Sequence, residues 1–228
     1  MRVYRYFGFV DLSGFTALTQ REGDERAVGV LSTFRAVARD ICSRRGVRIA
    51  KWLGDGAMLV TVEGPQLLAA MLEMQHVMEP MEIPTPLRCG VASGEVILLE
   101  GDDYIGNAVN LAARLCDVAP GHVVLATSSV LGDLPKWGTV LSTEQVSLRG
   151  LEQPLTVATL GLRALTPPTA PDPVCGIPLT REVAEGTGTD ALGRELWFCS
   201  ESCRDTWERR PRATAEGQGS LRTPLIGT

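Results

Sequence analysis

The sequence predicts an α+β protein with helices on one side of a sheet, followed by a small cysteine-containing module. Over residues 1–163 the elements are ordered strand, helix, hairpin, helix, strands, helix, strands, unlike the regular alternation of a doubly wound parallel sheet. Residues 164–173 contain four prolines, which is typical of a stiff linker. Three of the six cysteines lie beyond this linker, within residues 174–211.

Composition and charge exclude several classes of protein. Of the 228 residues, 44% are hydrophobic and 21% are charged, as in ordinary globular proteins rather than disordered or collagen-like chains. The net charge of −5 argues against a nucleic-acid partner. No apolar run approaches the roughly 18 residues of a membrane helix, and the charged start of the chain is not a secretory signal. We therefore expect a cytoplasmic protein with neither a nucleic-acid nor a membrane partner.

Each element has a local signal. Val, Tyr and Phe dominate residues 3–12, which predicts a strand. Apolar residues recur at helical spacing over residues 16–45, up to Gly46. Gly54-Asp55-Gly56 predicts the turn of a hairpin. Further helices are predicted over residues 65–79 and from 107 to about 117, with further strands over 87–92, 96–99, 123–126, 140–148 and 155–162. Residues 212–228 are polar and Gly-rich, and we expect them to be disordered.

Two carboxylates are candidate metal ligands. Asp11 ends the first predicted strand and Asp55 lies in the hairpin turn, so both reach one point if the hairpin pairs beside that strand. Carboxylates without a nearby histidine suit Mg²⁺ or Mn²⁺. An aspartate in a Gly-Asp-Gly turn can also serve turn geometry alone. The segment Ser-Gly-Phe-Thr (residues 13–16), which includes Phe15 and Thr16, follows the Asp11 strand and opens a helix. The start of this helix either attracts a phosphate or is capped by Ser or Thr.

Rare residue types mark two further segments. Lysine occurs only as Lys51 and Lys136, and Lys51 lies in an otherwise apolar strand, where an ammonium could donate to a ring nitrogen. The alternative for Lys51 is a solvated strand end. Both asparagines, Asn107 and Asn110, lie in the third helix, and Arg114 follows Asn110 at i, i+4. This face could stabilise a phosphoryl group in transit, or it is an ordinary polar helix surface.

Together these segments resemble the catalytic motifs of class III nucleotidyl cyclases. The matching stretches are Phe-Val-Asp-Leu-Ser-Gly-Phe-Thr (residues 9–16), Lys-Trp-Leu-Gly-Asp (51–55), Gly-Val-Ala-Ser-Gly-Glu (90–95), Asp-Tyr-Ile-Gly-Asn-Ala-Val-Asn-Leu-Ala-Ala-Arg (103–114) and Leu-Arg-Gly-Leu-Glu-Gln-Pro (148–154). The resemblance covers roughly residues 5–162, with the motifs in order. It implies a ferredoxin-like, palm-type sheet with helices packed on it.

The resemblance also implies roles. Asp11 and Asp55 would hold two ions of Mg²⁺ or Mn²⁺ per active site, with the carbonyl of Leu12 as a further ligand. Amides around Phe15 and Thr16 would contact the terminal phosphates. Lys51 and Asp103 would read the purine, and this pair resembles that of ATP-selective members rather than the Glu and Cys of guanylate cyclases. Asn110 would orient the ribose, and Arg114 would neutralise the α-phosphate in the transition state.

In this family the site forms between two protomers, so the resemblance implies a homodimer with two equivalent sites. Two metal ions would activate the ribose 3′-hydroxyl and hold the α-phosphate while pyrophosphate leaves. ATP would be the substrate and cyclic AMP the product. The short stretch from residue 95 to 103 departs from relatives that insert a hairpin there. A guanylate cyclase and a catalytically weak nucleotide or metal sensor are the alternatives.

The late cysteines have the spacing C-x23-C-x3-C, formed by Cys175, Cys199 and Cys203. With the opening Asp-Pro-Val-Cys-Gly, they resemble a YHS (TRASH-like) module over roughly residues 172–211. Thiolates at this spacing select Zn²⁺ or another soft metal such as Cu(I). The fourth ligand would be Asp172, a partner residue or nothing. The alternative is three free cysteines in a small core.

Overall fold

The computed structural model describes residues 1–81, 83–100, 103–148, 150 and 152–210. The strands of the main sheet are β1 (Arg2–Leu12), β2 (Arg48–Leu53), β3 (Gly56–Thr61), β4 (Leu87–Leu98), β5 (Tyr104–Ile105), β6 (Val123–Thr127), β7 (Gly138–Val146) and β8 (Leu155–Leu162). The helices packed on it are α1 (Phe15–Glu22), α2 (Asp24–Arg45), α3 (Gly64–Met78) and α4 (Asn107–Val118). Short 3-10 helices cover Glu79–Met81 and Ser128–Asp133. The segment predicted to be disordered, residues 212–228, lies outside the described residues.

The main sheet has the order β2-β3-β1-β4-β6-β8-β7, and β5 pairs with β4. Its described strand pairs are antiparallel except β4 with β6. The first four strands and the helices between them form a ferredoxin-like unit, in which β1 lies between β3 and β4. The α+β palm-type prediction is therefore confirmed.

The helices occupy both faces of the sheet, which corrects the expectation that they lie on one side. Along β1, Val10 and Leu12 pack in the core that contains α2 and α3, whereas Phe7 packs against α4. All six residues of β3 are buried. A strand buried on both sides needs cover on both faces, and α4 supplies the second cover.

Two element boundaries differ from the sequence prediction. The single helix expected over residues 16–45 is divided into α1 and α2 at Gly23, whose φ of 84° is the left-handed conformation that glycine adopts readily. The two strands expected within residues 87–99 are one strand, β4, because β1 pairs with it along its length.

The cysteine module (residues 170–210) is built from small elements on the α2 and α3 side of the sheet. These are β9 (Ala170–Pro171), β10 (Pro178–Leu179), β11 (Gly186–Thr189), β12 (Glu195–Phe198) and α5 (Glu201–Glu208). Ile177, Leu179 and Phe198 are fully buried and belong to the same hydrophobic core as α2 and α3. Within the predicted linker, β9 pairs with β10, so part of that linker is built into the module.

Within the described ranges, every helix is too short or too polar to cross a lipid bilayer.

Candidate active site and cysteine cluster

The two candidate metal carboxylates, Asp11 and Asp55, converge at the end of β1. Asp11 pairs in register with Gly56, which follows Asp55 in the turn between β2 and β3. A Cβ atom on Gly56 would lie 2.6 Å from the Val10 carbonyl oxygen and 3.0 Å from Asp11 Oδ1, so only glycine allows this close approach. The pKa of Asp55 is raised by burial and by the negative charge of Asp11. The structure therefore brings the two carboxylates close enough for the charge of Asp11 to act on Asp55.

Arg88 on β4 is a site residue that sequence reasoning missed. Its Nε and Nη2 lie 2.8 and 2.6 Å from Asp11 Oδ2, and its Nη1 donates to the Asp117 carbonyl oxygen at 2.9 Å. This guanidinium orients Asp11 and connects it to the end of α4. One feature of the sequence could have identified Arg88, because it is the charged residue in the otherwise apolar start of β4.

The start of α1 lies directly after the acid pair in the chain. Gly14 occupies the N-cap position with φ 78°, and no side chain among the described residues caps this helix. The expected alternative, a Ser or Thr cap, is therefore absent from the described structure, and the first turn at Phe15 and Thr16 keeps the anion-attracting character of a helix start. Leu12 is a buried residue whose aliphatic side chain carries no donor atom, so only its main-chain carbonyl could serve as a ligand.

Lys51 and Asp103 form an ion pair, with Nζ 2.8 Å from Oδ1. A β-bulge between Ile49 and Lys51 shifts the register of β2 against β3 and re-aims the lysine. The hydrogen bond from Lys51 lowers the pKa of Asp103, and the Tyr104 amide adds to this effect. Both side chains are about half exposed, at 44% and 48%, so the pair is open to a ligand.

Asn110 and Arg114 lie on the outer face of α4. The inner face buries Ala108, Ala112, Leu115 and Cys116. Helix α4 approaches β4 closely at Gly90, where a Cβ would lie 2.2 Å from the Ala112 carbonyl oxygen. Arg114 packs beside Gly150, where a Cβ would lie 2.8 Å from its Nη1. Asn110 and Arg114 therefore share one face of α4, as their i, i+4 spacing predicted.

The candidate residues thus form two groups. Asp11 and Asp55 make one, at the end of β1, and the resemblance assigns Lys51, Asp103, Asn110 and Arg114 to the other. Within the described residues, no hydrogen bond or ion pair joins Asp11 or Asp55 directly to those four side chains, although Arg88 connects Asp11 to the main chain at the end of α4.

The cysteine cluster consists of Asp172, Cys175, Cys199 and Cys203, whose potential ligand atoms all lie within 4.8 Å of one another. The Cys199 sulfur is 3.4 Å from that of Cys175 and 3.6 Å from that of Cys203. All four side chains are buried. The thiols of Cys175 and Cys199 lower the pKa of Cys203 by hydrogen bonding to its sulfur.

Asp172 orders the loops around this cluster. Its Oδ1 accepts from the amides of Val174 and Cys175 at 2.7 and 3.2 Å, and its Oδ2 accepts from the Cys199 amide at 2.7 Å. A carboxylate offers about four acceptor positions, so one remains for a further partner. Three thiols and a carboxylate at this spacing are a donor set that a thiophilic metal ion fits.

No protein-family profile matches the chain. It is 35% identical over 148 residues to an uncharacterized protein of Mycobacterium tuberculosis, covering 65% of this chain and 39% of that protein. It is 34% identical over 127 residues to an adenylate cyclase of Streptomyces coelicolor, covering 56% and 33% of the two chains. The chain thus spans about two fifths or less of the length of these curated relatives.

The guanylyl cyclase Cya2 has a similar solved structure, with a TM-score of 0.64 and 22% identity over 72% of this chain and 94% of that one. The main sheet and helices α1–α4 therefore have the fold of a class III nucleotidyl cyclase catalytic domain. The similar proteins include an adenylate cyclase and a guanylyl cyclase, so the fold does not determine which nucleotide is the substrate.

Proposed function

We propose that this chain is an adenylate cyclase that converts ATP to 3′,5′-cyclic AMP and pyrophosphate. The observation that carries the proposal is the convergence of Asp11 and Asp55 at the end of β1. The same chain also carries Lys51, Asp103, Asn110 and Arg114, to which the resemblance assigns the contacts with the purine, the ribose and the α-phosphate. The sequence similarity to an adenylate cyclase supports this choice.

The acid pair would hold two Mg²⁺ or Mn²⁺ ions, which supply activation of the 3′-hydroxyl and charge neutralisation at the α-phosphate when bound. Arg88 holds one carboxylate in place, and the first turn of α1 presents amides to the terminal phosphates. Asn110 would orient the ribose. Arg114 would neutralise charge that develops on the α-phosphate.

Lys51 and Asp103 provide the preference for adenine. The ammonium donates and the carboxylate accepts, which complements the ring nitrogen acceptor and amino donor of adenine. Because the two residues already contact each other at 2.8 Å, their relative position is set before the base binds.

We propose that the working enzyme is a homodimer. The side chains of the two groups of site residues are not joined directly within the described part of one chain. A two-fold dimer would set the acid pair of one protomer against the Lys51, Asp103 and α4 residues of its partner, which creates two equivalent sites.

The test is an assay of purified protein with ATP or GTP and Mn²⁺, with detection of the cyclic product. We expect cyclic AMP from ATP, no turnover in Asp11→Ala or Asp55→Ala, and a loss of roughly 10²-fold or more in kcat for Arg114→Ala. Asp205→Ala on α5 is the matched control and should keep full activity.

Lys51→Glu with Asp103→Cys should weaken the preference for ATP.

Other outcomes would contradict the proposal. Wild-type rates in Asp55→Ala would refute the metal assignment. A preference for GTP would indicate the guanylate cyclase, and nucleotide binding without a cyclic product would indicate the sensor.

We also propose that the cysteine cluster binds a thiophilic metal ion, Zn²⁺ or Cu(I). The support is the shared 4.8 Å neighbourhood of three thiols and the Asp172 carboxylate. The resemblance of this segment to a YHS module stays a prediction from sequence.

A further inference from the structure

Two charged side chains, Arg45 and Glu73, are buried between α2 and α3 beside the cysteine cluster, and the partly exposed Arg44 joins them. The side chain of Glu73 is fully buried, and that of Arg45 is 2% exposed. One oxygen of Glu73 pairs with Arg44 Nη2 at 2.5 Å, and the other accepts from Arg45 Nε. Arg44 also pairs with the carboxylate of Asp40, with Nη2 2.9 Å from Oδ2, so Glu73 is the carboxylate that faces the buried Arg45. Buried charge is costly unless it is paired, and because two guanidinium groups share Glu73, Arg45 stabilises a further anionic neighbour.

Arg45 faces the cluster with its remaining donors. Its Nη2 lies 3.1 Å from the Cys199 sulfur. Trp137 approaches the same residue and donates from Nε1 to the Cys199 carbonyl oxygen at 3.0 Å. Two residues outside the cysteine module therefore contact one of its candidate metal ligands directly.

A groove leads to the cluster from solvent. It encloses about 350 Å³, and its lining includes Asp40, Arg44, Glu73 and Cys175. A metal ion could therefore reach the buried thiols without unfolding of the module, as a workable site requires.

The charges on the two sides are complementary. The Arg45 guanidinium is positive, whereas three thiolates and the Asp172 carboxylate around a divalent ion carry a net charge of −2.

We propose that Arg45 is the charge partner of the metal-loaded cluster, so that a bound thiophilic ion fastens the cysteine module to α2 and α3. This proposal rests on the metal site proposed above and not on nucleotide cyclisation. Arg45 is a positioning residue, because it contacts a candidate ligand and not the ion.

The experiment uses the full chain, reduced and metal-free, with Zn²⁺ as the probe. Competition with a chromophoric chelator gives the affinity and stoichiometry, and thermal unfolding with and without Zn²⁺ gives the shift in Tm. We expect one tight Zn²⁺ per chain and a raised Tm for the wild type. Arg45→Met should bind Zn²⁺ roughly 10- to 100-fold more weakly, the usual effect of losing a residue that supports a ligand.

Matched variants distinguish weaker Zn²⁺ binding caused by loss of a ligand from weaker binding caused by loss of the Arg45 guanidinium. Cys199→Ser should lose tight binding, whereas Cys42→Ser, another buried cysteine outside the cluster, should keep it. Arg26→Met removes an exposed guanidinium from the same helix and should bind like the wild type. Arg45→Lys keeps the charge and should bind more tightly than Arg45→Met. If Arg45→Met does not fold, Arg45→Lys should still bind Zn²⁺ more weakly than the wild type, because an ammonium cannot contact Glu73 and Cys199 as a guanidinium does.

Equal Zn²⁺ affinity and an equal Tm shift in the Arg45 variants and the wild type would overturn the role of Arg45. Absence of stoichiometric Zn²⁺ in the wild type would overturn the site itself. Neither readout involves ATP, so failure here is distinguishable from failure of the cyclase proposal.

Discussion

Lys51 and Asp103 are 52 positions apart in the chain and meet in an exposed ion pair. An exposed pair contributes little to stability, because water screens both charges. Its value lies in geometry, since a donor and an acceptor are held side by side at the surface of the sheet. A chain with only two lysines places one of them here.

The ion pair predicts an altered titration of Asp103. Because Lys51 lowers its pKa, the pair contributes stability above the usual Asp value of 3.8 and loses it only as the pH falls through the lower folded value. NMR titration of the carboxyl carbon should give a midpoint below 3.8 in the wild type. In Lys51→Met the midpoint should rise, and in Arg26→Met it should not move. Identical midpoints in the wild type and Lys51→Met would show that the pair does not form in solution.

Helix α4 is held against the sheet at a point where two backbones nearly touch. A Cβ on Gly90 would lie 2.2 Å from the Ala112 carbonyl oxygen and 2.3 Å from the Cys116 amide nitrogen. Neither atom can rotate away, unlike the end of a flexible side chain. The position of Asn110 and Arg114 therefore depends on a glycine in β4.

Gly90→Ala should displace α4 and lower the free energy of unfolding by about 1–3 kcal/mol, as overpacking typically does. Cyclase activity should fall with it, because Asn110 and Arg114 move. Urea denaturation and the cyclic nucleotide assay measure the two effects. Gly29→Ala is the control: nothing lies within 4 Å of its Cβ position in α2, and alanine there should stabilise by about 0.5–1 kcal/mol. Wild-type stability in Gly90→Ala would show that α4 does not pack as described.

One hydrophobic core continues from the main sheet into the cysteine module. Phe34 and Ile41 on α2 belong to the same buried cluster as Ile177 and Phe198. The module therefore covers apolar surface that would otherwise face water, and covering such surface is the main stabilising contribution in folding.

A chain that ends at residue 165 should therefore be less stable than a chain that ends at residue 210, which keeps every described contact of the module. The shorter chain should show a lower Tm and stronger binding of a hydrophobic dye, because the outer surfaces of α2 and α3 are uncovered. Equal Tm values would indicate that the module folds and docks independently of this core.

The predictable part of the molecule follows from local patterns. Residue spacing predicted the strands, α3, α4 and the hairpin turn, because periodicity depends on neighbours in the chain. Spacing and composition also singled out the acid pair, Lys51 and the face of α4, and the resemblance to the cyclases added Asp103. The convergence of Asp11 and Asp55 was a conditional prediction, and the pairing of β3 with β1 met its condition.

Other features depend on contacts between distant segments. Arg88 reaches Asp11 across 77 positions, and Arg45 reaches Cys199 across 154. Helix α4 packs on the face of the sheet that α2 and α3 do not cover. These long-range pairs form on folding, when apolar surfaces are buried and charged groups that leave water need partners. The local chemistry of the chain therefore identified the candidate groups, and folding determined their partners. The gain from burying apolar surface and the cost of burying charge both depend on contacts between distant segments.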